Sequence, residues 1–282
     1  MVTFLATTSI RKRRLIMDSR YRQEVQKYGK NDAIHALCVY LAIAILVVIQ
    51  WFIRTNYDFT GILSFVDLLA MPIIVIVVVF TIVIVKKQGL ASIGFHKQRM
   101  LPTLTFGLLI ALILLVFGIA PGLVYGWEFN NIGAALIPIL LRILILAAFE
   151  DILFVGYLQT RIYGLIKKDV PAIFVVAVLF AVIHIPVGLL GGMTIGSDLI
   201  LALIGWAMAH LLLVLIFRKQ FSLIPVFVAH TLINFFRRGE LWVDFNPYYN
   251  EYWIITAEFL VLLLLVIFGI VKWRRSKHVA TT

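Results

Sequence analysis

The sequence predicts an all-α transmembrane helix bundle of about eight spans with both termini in the cytoplasm. Hydrophobic residues make up 62% of the 282 residues, and the mean hydropathy is +1.03. Soluble domains are only about half apolar. Each long apolar segment approaches the roughly 20 residues that cross about 30 Å of hydrocarbon. The segments fall at about 33–53, 66–85, 102–120, 132–160, 170–187, 198–217, 222–236 and 252–272.

The distribution of the basic residues supports this topology. If the spans alternate in direction, all but four of the 25 Lys and Arg residues fall on one side of the membrane. The exceptions are Arg54, Arg142, Arg237 and Arg238. Cytoplasmic loops carry an excess of Lys and Arg, so this side is the cytoplasm. The net charge of +11 therefore reflects membrane topology, and no nucleic-acid partner is expected.

Three regions follow from this division. Residues 1–32 form a charged cytoplasmic arm suited to an anionic leaflet, residues 33–272 form the bundle, and residues 273–282 form a basic cytoplasmic tail. The first basic cluster follows the mildly apolar first ten residues, whereas a secretory signal has the reverse order, so no cleaved signal is expected. The single cysteine, Cys38, excludes an intrachain disulfide.

Several titratable or polar residues fall inside predicted spans. Such groups are unfavourable in hydrocarbon unless they face the bundle interior, and they indicate a functional site. At about 1.5 Å per residue, Glu150 lies about 16 Å from the cytoplasmic boundary and His184 about 21 Å. His230, Asn234 and His210 lie at about 12, 18 and 12 Å. The sequence thus predicts that four helices deliver these groups to one layer.

Helical spacing indicates which of these groups face each other. His230 and Asn234 are four residues apart and share one face of a helix. Glu150 and Asp151 are consecutive and diverge by about 100°, so only one can point at a shared centre. We expect that residue to be Glu150, with Asp151 in a supporting role. Prolines within the spans, among them Pro138 and Pro186, predict kinks. Pro72 belongs to the same set.

These residues resemble the motifs of the CPBP intramembrane proteases, which include the type II CAAX prenyl endopeptidases and bacterial bacteriocin-processing or immunity proteins. The segment from Glu150 to Val155 is similar to Glu-Glu-x-x-x-Arg. Phe180 to His184 matches Phe-x-x-x-His, and His230 to Asn234 matches His-x-x-x-Asn. The resemblance covers about residues 90–240. No zinc-protease His-Glu-x-x-His helix, Gly-x-Ser-x-Gly elbow or phosphate loop is present in the sequence.

Two positions depart from the family pattern. Asp151 replaces the second glutamate, and Val155 replaces the arginine. An arginine beside the carboxylates would favour their ionised form and fix their orientation. Arg142 and Arg161 lie too far along the helix to take its place, whereas His210 would supply compensating positive charge if it faces inward.

The resemblance implies water-mediated peptide hydrolysis. Glu150 would be the general base, and Asn234 would donate to the oxyanion. His184 and His230 would either hold the water or, with Glu150, bind a divalent metal such as zinc. Phe180 would pack beside the site. A metal-free mechanism and a metal-dependent one both remain open.

Three functions are compatible with the sequence. The favoured one is an intramembrane endopeptidase that cuts a membrane-associated or lipidated peptide or protein near the cytosolic leaflet. The alternative is a catalytically impaired family member acting as a membrane immunity or interaction protein, suggested by Val155. A proton-coupled transporter is a third, but the sequence lacks the repeats and paired broken helices of many transporters. We expect a multi-pass protein of a bacterial cytoplasmic membrane, in contact with lipids.

Overall fold

The computed structural model describes residues 19–57, 61–96, 100–126, 128, 133, 136–190, 192–237, 256, 259–263 and 267. Every regular element among these residues is helical, which confirms the predicted all-α class. The longer helices are rich in aliphatic residues and interrupted by few polar ones. The helix is the structure that satisfies every backbone hydrogen bond within one segment in lipid.

Nine α-helices and their extensions make up the described chain. The α-helices are α1 Ser19–Val25, α2 Lys30–Asn56, α3 Gly61–Val85, α4 Met100–Tyr125, α5 Leu136–Glu150, α6 Asp169–Ile183, α7 Ile185–Leu190, α8 Ser197–Gln220 and α9 Ile224–Arg237. A 3₁₀ turn at Leu90–Ile93 precedes α4. Helix α5 runs directly into a π-helical segment at Asp151–Leu158, then into Gln159–Arg161 and a 3₁₀ turn at Ile162–Gly164.

Four helical stretches among the described residues are long and apolar enough to cross a membrane: Lys30–Asn56, Thr103–Tyr125, Asp169–Leu190 and Ser197–Gln220. They coincide with four of the eight predicted spans. Two shorter apolar helices, Leu69–Val85 and Ile224–Phe236, coincide with two more. The predicted span at 252–272 and the tail at 273–282 lie largely or wholly outside the described residues. The count of eight and the cytoplasmic position of the termini stay predictions.

Helix α9 is held between α4 and α5, while α6 packs against α8 and α3 against α5. The contact between α4 and α9 depends on Gly107, because a Cβ at this position would lie 2.9 Å from the Cα of Pro225. The backbone N–H of Leu223 donates to the carbonyl of Gly94 over 3.3 Å. Gly94 has φ +96°, and a Cβ there would lie 2.5 Å from Phe217, so glycine is required. These contacts fix where α9 begins.

Arg161 anchors the end of the π-helical segment. Its side chain is buried and donates to Gln88 Oε1 over 2.6 Å and to Ser92 Oγ over 2.9 Å. Its guanidinium also lies 4.5 and 4.7 Å from the ring centroids of Tyr28 and Tyr157. Arg161 therefore connects the π-helical segment to the turn before α4.

The described part of the predicted N-terminal arm packs against the bundle. Tyr21 of α1 is fully buried, with ring centroids of Phe217 and Phe221 at 5.7 and 5.6 Å. The ring centroid of Tyr163 lies 6.2 Å from that of Tyr21. The hydroxyl of Tyr163 donates a hydrogen bond to Asp169 Oδ1 over 3.1 Å. Burial raises the pKa of Tyr163 to about 12, so the phenol keeps the proton that this hydrogen bond needs.

Candidate active site

The Glu150 carboxylate lies between two imidazoles from different helices. Its Oε2 is 3.3 Å from Nε2 of His230, and its Oε1 is 3.6 Å from Nε2 of His184. Glu150 ends α5, His184 follows the end of α6, and His230 lies in the middle of α9. The structure thus brings together three of the residues predicted from the sequence. About an eighth of the Glu150 side chain and slightly more of His184 stay exposed, 13% and 15% respectively.

Asp151 holds the opposite nitrogen of His230. The Nδ1–H of His230 donates to Asp151 Oδ1 over 2.9 Å, and both side chains are buried. Because an ionised carboxylate only accepts hydrogen bonds, this contact places a proton on Nδ1 and turns Nε2 toward Glu150. The two consecutive carboxylates therefore contact the two nitrogens of one ring. Glu150 faces the centre of the site, and Asp151 lies behind His230.

His184 is oriented by the backbone rather than by a carboxylate. Its Nδ1–H donates to the carbonyl of Phe180 over 2.7 Å. A carbonyl can only accept, so Nδ1 carries the proton and Nε2 faces Glu150. Both histidines therefore present the same nitrogen to Glu150, and in each the other nitrogen is occupied.

The end of α6 explains why the Phe180 carbonyl is available. In a continuing α-helix it would accept the backbone N–H of His184, but this N–H bonds to Ala181 over 3.1 Å and α6 ends at Ile183. Pro186 has no N–H to continue the pattern. The interruption predicted at Pro186 is therefore present. Pro138 lies in the first turn of α5 as described, where proline is tolerated, and Pro72 lies inside α3.

A π-helical segment begins immediately after Glu150, and all eight of its residues are buried. Short π-helical segments are often found at functional sites. Val155, where the motif pattern in the sequence analysis has arginine, lies within it and is 1% exposed. Arg161 bonds to Gln88, Ser92, Thr160 and Gly156, and contacts neither site carboxylate.

His210 is fully buried beside the site and stacks on Phe180, with a centroid distance of 4.8 Å and an interplanar angle of 22°. Neither of its ring nitrogens forms a hydrogen bond within the described part of the chain. It also makes no ion pair there with Glu150 or Asp151. The expectation that His210 compensates for the missing arginine therefore has no support in its contacts.

Phe180 and Asn234 complete the predicted residues. Phe180 is buried, and its ring centroid lies 4.6 Å from that of His184, in line with the expected packing role. Asn234 lies one turn beyond His230 on α9 and is half-buried, with no hydrogen bond to other described residues. Its role at an oxyanion stays a prediction.

Trp206 was not predicted from the sequence. Its ring centroid lies 5.1 Å from that of His184, with the two planes tilted by 30°. The signal that was available is its spacing: Trp206 and His210 are four residues apart and so share one face of α8.

Among the residues that the structure describes, no group of three or more His, Cys, Asp or Glu side chains is placed to hold a metal ion. That His184, His230 and Glu150 together bind zinc therefore stays a prediction.

Residues 131–236 match the family model described as Type II CAAX prenyl endopeptidase Rce1-like. The match confirms the resemblance indicated by the motifs and includes Glu150, His184, His230 and Asn234. It spans less than half of the 282 residues. No curated protein and no solved structure matches the chain. With its four membrane-length helices, the protein is an integral membrane protein.

Proposed function

We propose that this protein is an intramembrane endopeptidase that hydrolyses a peptide bond in a membrane-associated or lipidated peptide or protein. The observation that supports the proposal is the placement of Glu150 between Nε2 of His184 and Nε2 of His230. The family match at residues 131–236 makes a CAAX-type protease the class of activity to test first.

In the proposed reaction, Glu150 takes a proton from a water molecule as the water oxygen attacks the substrate carbonyl. A C–O bond forms, and the carbonyl electron pair moves onto oxygen. The oxyanion then collapses, the C–N bond breaks, and Glu150 returns the proton to the leaving amine. General base catalysis of this kind contributes about 10²- to 10⁴-fold.

The neighbouring side chains position the water and the substrate. The Nε2 atoms of His184 and His230 flank the carboxylate and accept hydrogen bonds, because both rings carry their proton on Nδ1. The attacking water donates one O–H to Glu150 and the other to one of these two nitrogens. Asn234, whose amide can donate a hydrogen bond, stabilises the oxyanion. No step is assigned to a metal. The partial exposure of Glu150 and His184 leaves part of the carboxylate accessible to a molecule as small as water.

The proposal includes the membrane setting inferred from the charge pattern. The basic segments lie in the cytoplasm together with both termini, and about eight spans cross a bacterial cytoplasmic membrane. The site then lies within the bilayer, closer to the cytosolic leaflet, where a lipid-anchored substrate is confined.

The test compares peptides from membranes that contain either the wild-type chain or Glu150→Gln. New peptide termini that depend on Glu150 identify the substrates. Synthetic versions of those peptides, with and without a prenyl group, then show whether the lipid is needed for cleavage by the purified full chain in vesicles. Repeating the assay with a chelator and then with added zinc measures any dependence on metal.

The second candidate function is an impaired relative that acts as an immunity or interaction protein, and Val155 favours it. Under the proposed protease function, Val155→Arg brings no gain in cleavage, because the site carboxylates already contact the imidazoles of His184 and His230. A new charge in the fully buried π-helical segment also lowers the yield of folded protein. Cleavage rate per folded molecule is measured, with Val155→Met as the control for size.

A gain of tenfold or more in Val155→Arg would instead favour the impaired enzyme. An immunity phenotype unaffected by Glu150→Gln and by His230→Ala would favour a binding role without catalysis.

A further prediction concerns the interruption of the helix at His184, next to Pro186. Pro186→Ala restores a backbone N–H and favours a continuous helix through His184. The Phe180 carbonyl then accepts the backbone N–H of His184 and no longer the Nδ1–H of its ring. A hydrogen bond between neutral groups contributes about 0.5–1.5 kcal/mol, which corresponds to about two- to tenfold in rate. We expect a kcat decrease toward the upper end of this range, without a decrease in Tm. Pro171→Ala, in the exposed first turn of α6, is the matched control and keeps its kcat. Equal kcat values for the two variants would contradict the role of the break.

A further inference from the structure

We propose that Trp206 and His210 of α8 form an aromatic clamp that positions His184 for the reaction. The inference rests on the proposed protease function and deepens it. The clamp residues lie outside the three motifs, and α8 contributes no motif residue to the site.

Two aromatic rings at the end of α6 contact two aromatic rings on α8. Phe180 lies in the last turn of α6, His184 directly follows the end of that helix, and their ring centroids lie 4.6 Å apart. On α8, Trp206 and His210 are four residues apart and share one helix face. Helices α6 and α8 pack closely together. Trp206 lies against His184 at 5.1 Å, and His210 stacks on Phe180 at 4.8 Å.

His184 needs such support because it has one polar anchor. Its Nδ1–H bonds to the Phe180 carbonyl over 2.7 Å, while Nε2 lies 3.6 Å from Glu150. One hydrogen bond leaves the ring free to tilt about that contact. The rings of Phe180 and Trp206 restrict this tilt, since their centroids lie 4.6 and 5.1 Å from that of His184. Both distances lie in the range of favourable aromatic pairs.

His210 acts on His184 through Phe180. Its ring also lies edge-on to Phe154, with centroids 6.2 Å apart. Neither nitrogen of His210 has a hydrogen-bond partner within the described part of the chain. The contribution of His210 is therefore its ring face, which holds Phe180 and, with it, the carbonyl that orients His184. A phenylalanine at 210 offers the same face without the nitrogens.

The clamp residues are positioning residues, so the variants separate ring shape from ring chemistry. We expect Trp206→Ala and His210→Ala each to lower kcat about tenfold, the upper range for one aromatic pair, with KM unchanged. Trp206→Phe and His210→Phe restore kcat to within about threefold of wild type. Leu213→Ala is the matched control, because Leu213 is fully buried on α8 but belongs to neither ring pair. It lowers folded yield while the kcat of the folded fraction stays unchanged.

A second measurement does not depend on catalysis. Ring currents from Trp206 and Phe180 displace the NMR signals of the His184 ring protons. These signals are assigned in histidine-labelled full-length protein, because they are missing from the spectrum of the His184→Gln variant. Trp206→Ala and His210→Ala shift these signals, whereas Leu213→Ala leaves them in place.

The two measurements distinguish the possible failures. If the wild-type chain cleaves nothing but the His184 signals respond as expected, the clamp stands and the protease function fails. If the His184 signals stay in place in Trp206→Ala, the clamp is wrong even where kcat falls. If His210→Phe loses as much activity as His210→Ala, the nitrogens of His210 are required and its role as a ring face is overturned.

Discussion

Replacing Glu150 by glutamine is expected to reduce peptide hydrolysis by about 10²- to 10⁴-fold, the contribution of a general base. Glutamine has nearly the same size and still forms hydrogen bonds, but its amide cannot take a proton from water at neutral pH. It also removes the negative charge that lies 3.3 Å from His230 and 3.6 Å from His184. Activity should fall while the protein continues to accumulate in the membrane.

The measurement is single-turnover cleavage of an identified substrate by wild-type and variant protein in vesicles at equal folded amounts. Glu128→Gln, the same change at an exposed glutamate away from the site, is the matched control and retains wild-type cleavage. If Glu150→Gln cleaves as fast as the control, Glu150 is not the base.

The sequence predicted those features of the fold that depend on local pattern. Apolar segments of membrane length identified α2, α6 and α8 because lipid imposes a minimum length on a spanning helix. The break near His184 was predictable from Pro186, since a missing N–H acts within one turn. The i and i+4 relation of His230 and Asn234 follows from helical periodicity on α9.

The site was predictable only as far as its depth along each helix. Counting residues placed Glu150, His184 and His230 in one layer, and the structure brings them together. The π-helical segment after Glu150 was not predictable, because its extra residue per turn has no simple pattern in the sequence. The partners of Asp151 and of the His184 Nδ1 were not predictable either, since they depend on how three helices rotate about their axes.

Arg161 and Trp206 show why long-range contacts escape a single sequence. Arg161 lies on the same helical run as Glu150, yet it bonds to Gln88 and Ser92, about 70 residues earlier in the chain. Nothing in the sequence distinguishes Trp206 from the other apolar residues of its span. Its contact with His184 arises only because α6 and α8 pack side by side.

Asp151→Asn is the variant with the second-largest expected effect. Asp151 accepts the Nδ1–H of His230 over 2.9 Å, which keeps Nε2 directed at Glu150. The neutral amide can present either its oxygen or its NH₂ group to Nδ1, so the ring loses both a fixed tautomer and a stabilising negative charge. A hydrogen bond to a charged group contributes about 1.5–3 kcal/mol, which corresponds to about 10- to 150-fold in rate, and we expect a decrease of about 100-fold in kcat.

Nitrogen NMR of His230 provides the structural measurement, because its chemical shifts report which ring nitrogen carries the proton. In the wild-type protein the proton is expected on Nδ1, and in Asp151→Asn both tautomers are populated. Asp151→Glu keeps the negative charge and is the matched control, with kcat closer to wild type than that of Asp151→Asn. A decrease in Asp151→Asn as deep as that of Glu150→Gln would transfer the role of base to Asp151, whereas an unchanged kcat would remove Asp151 from the site altogether.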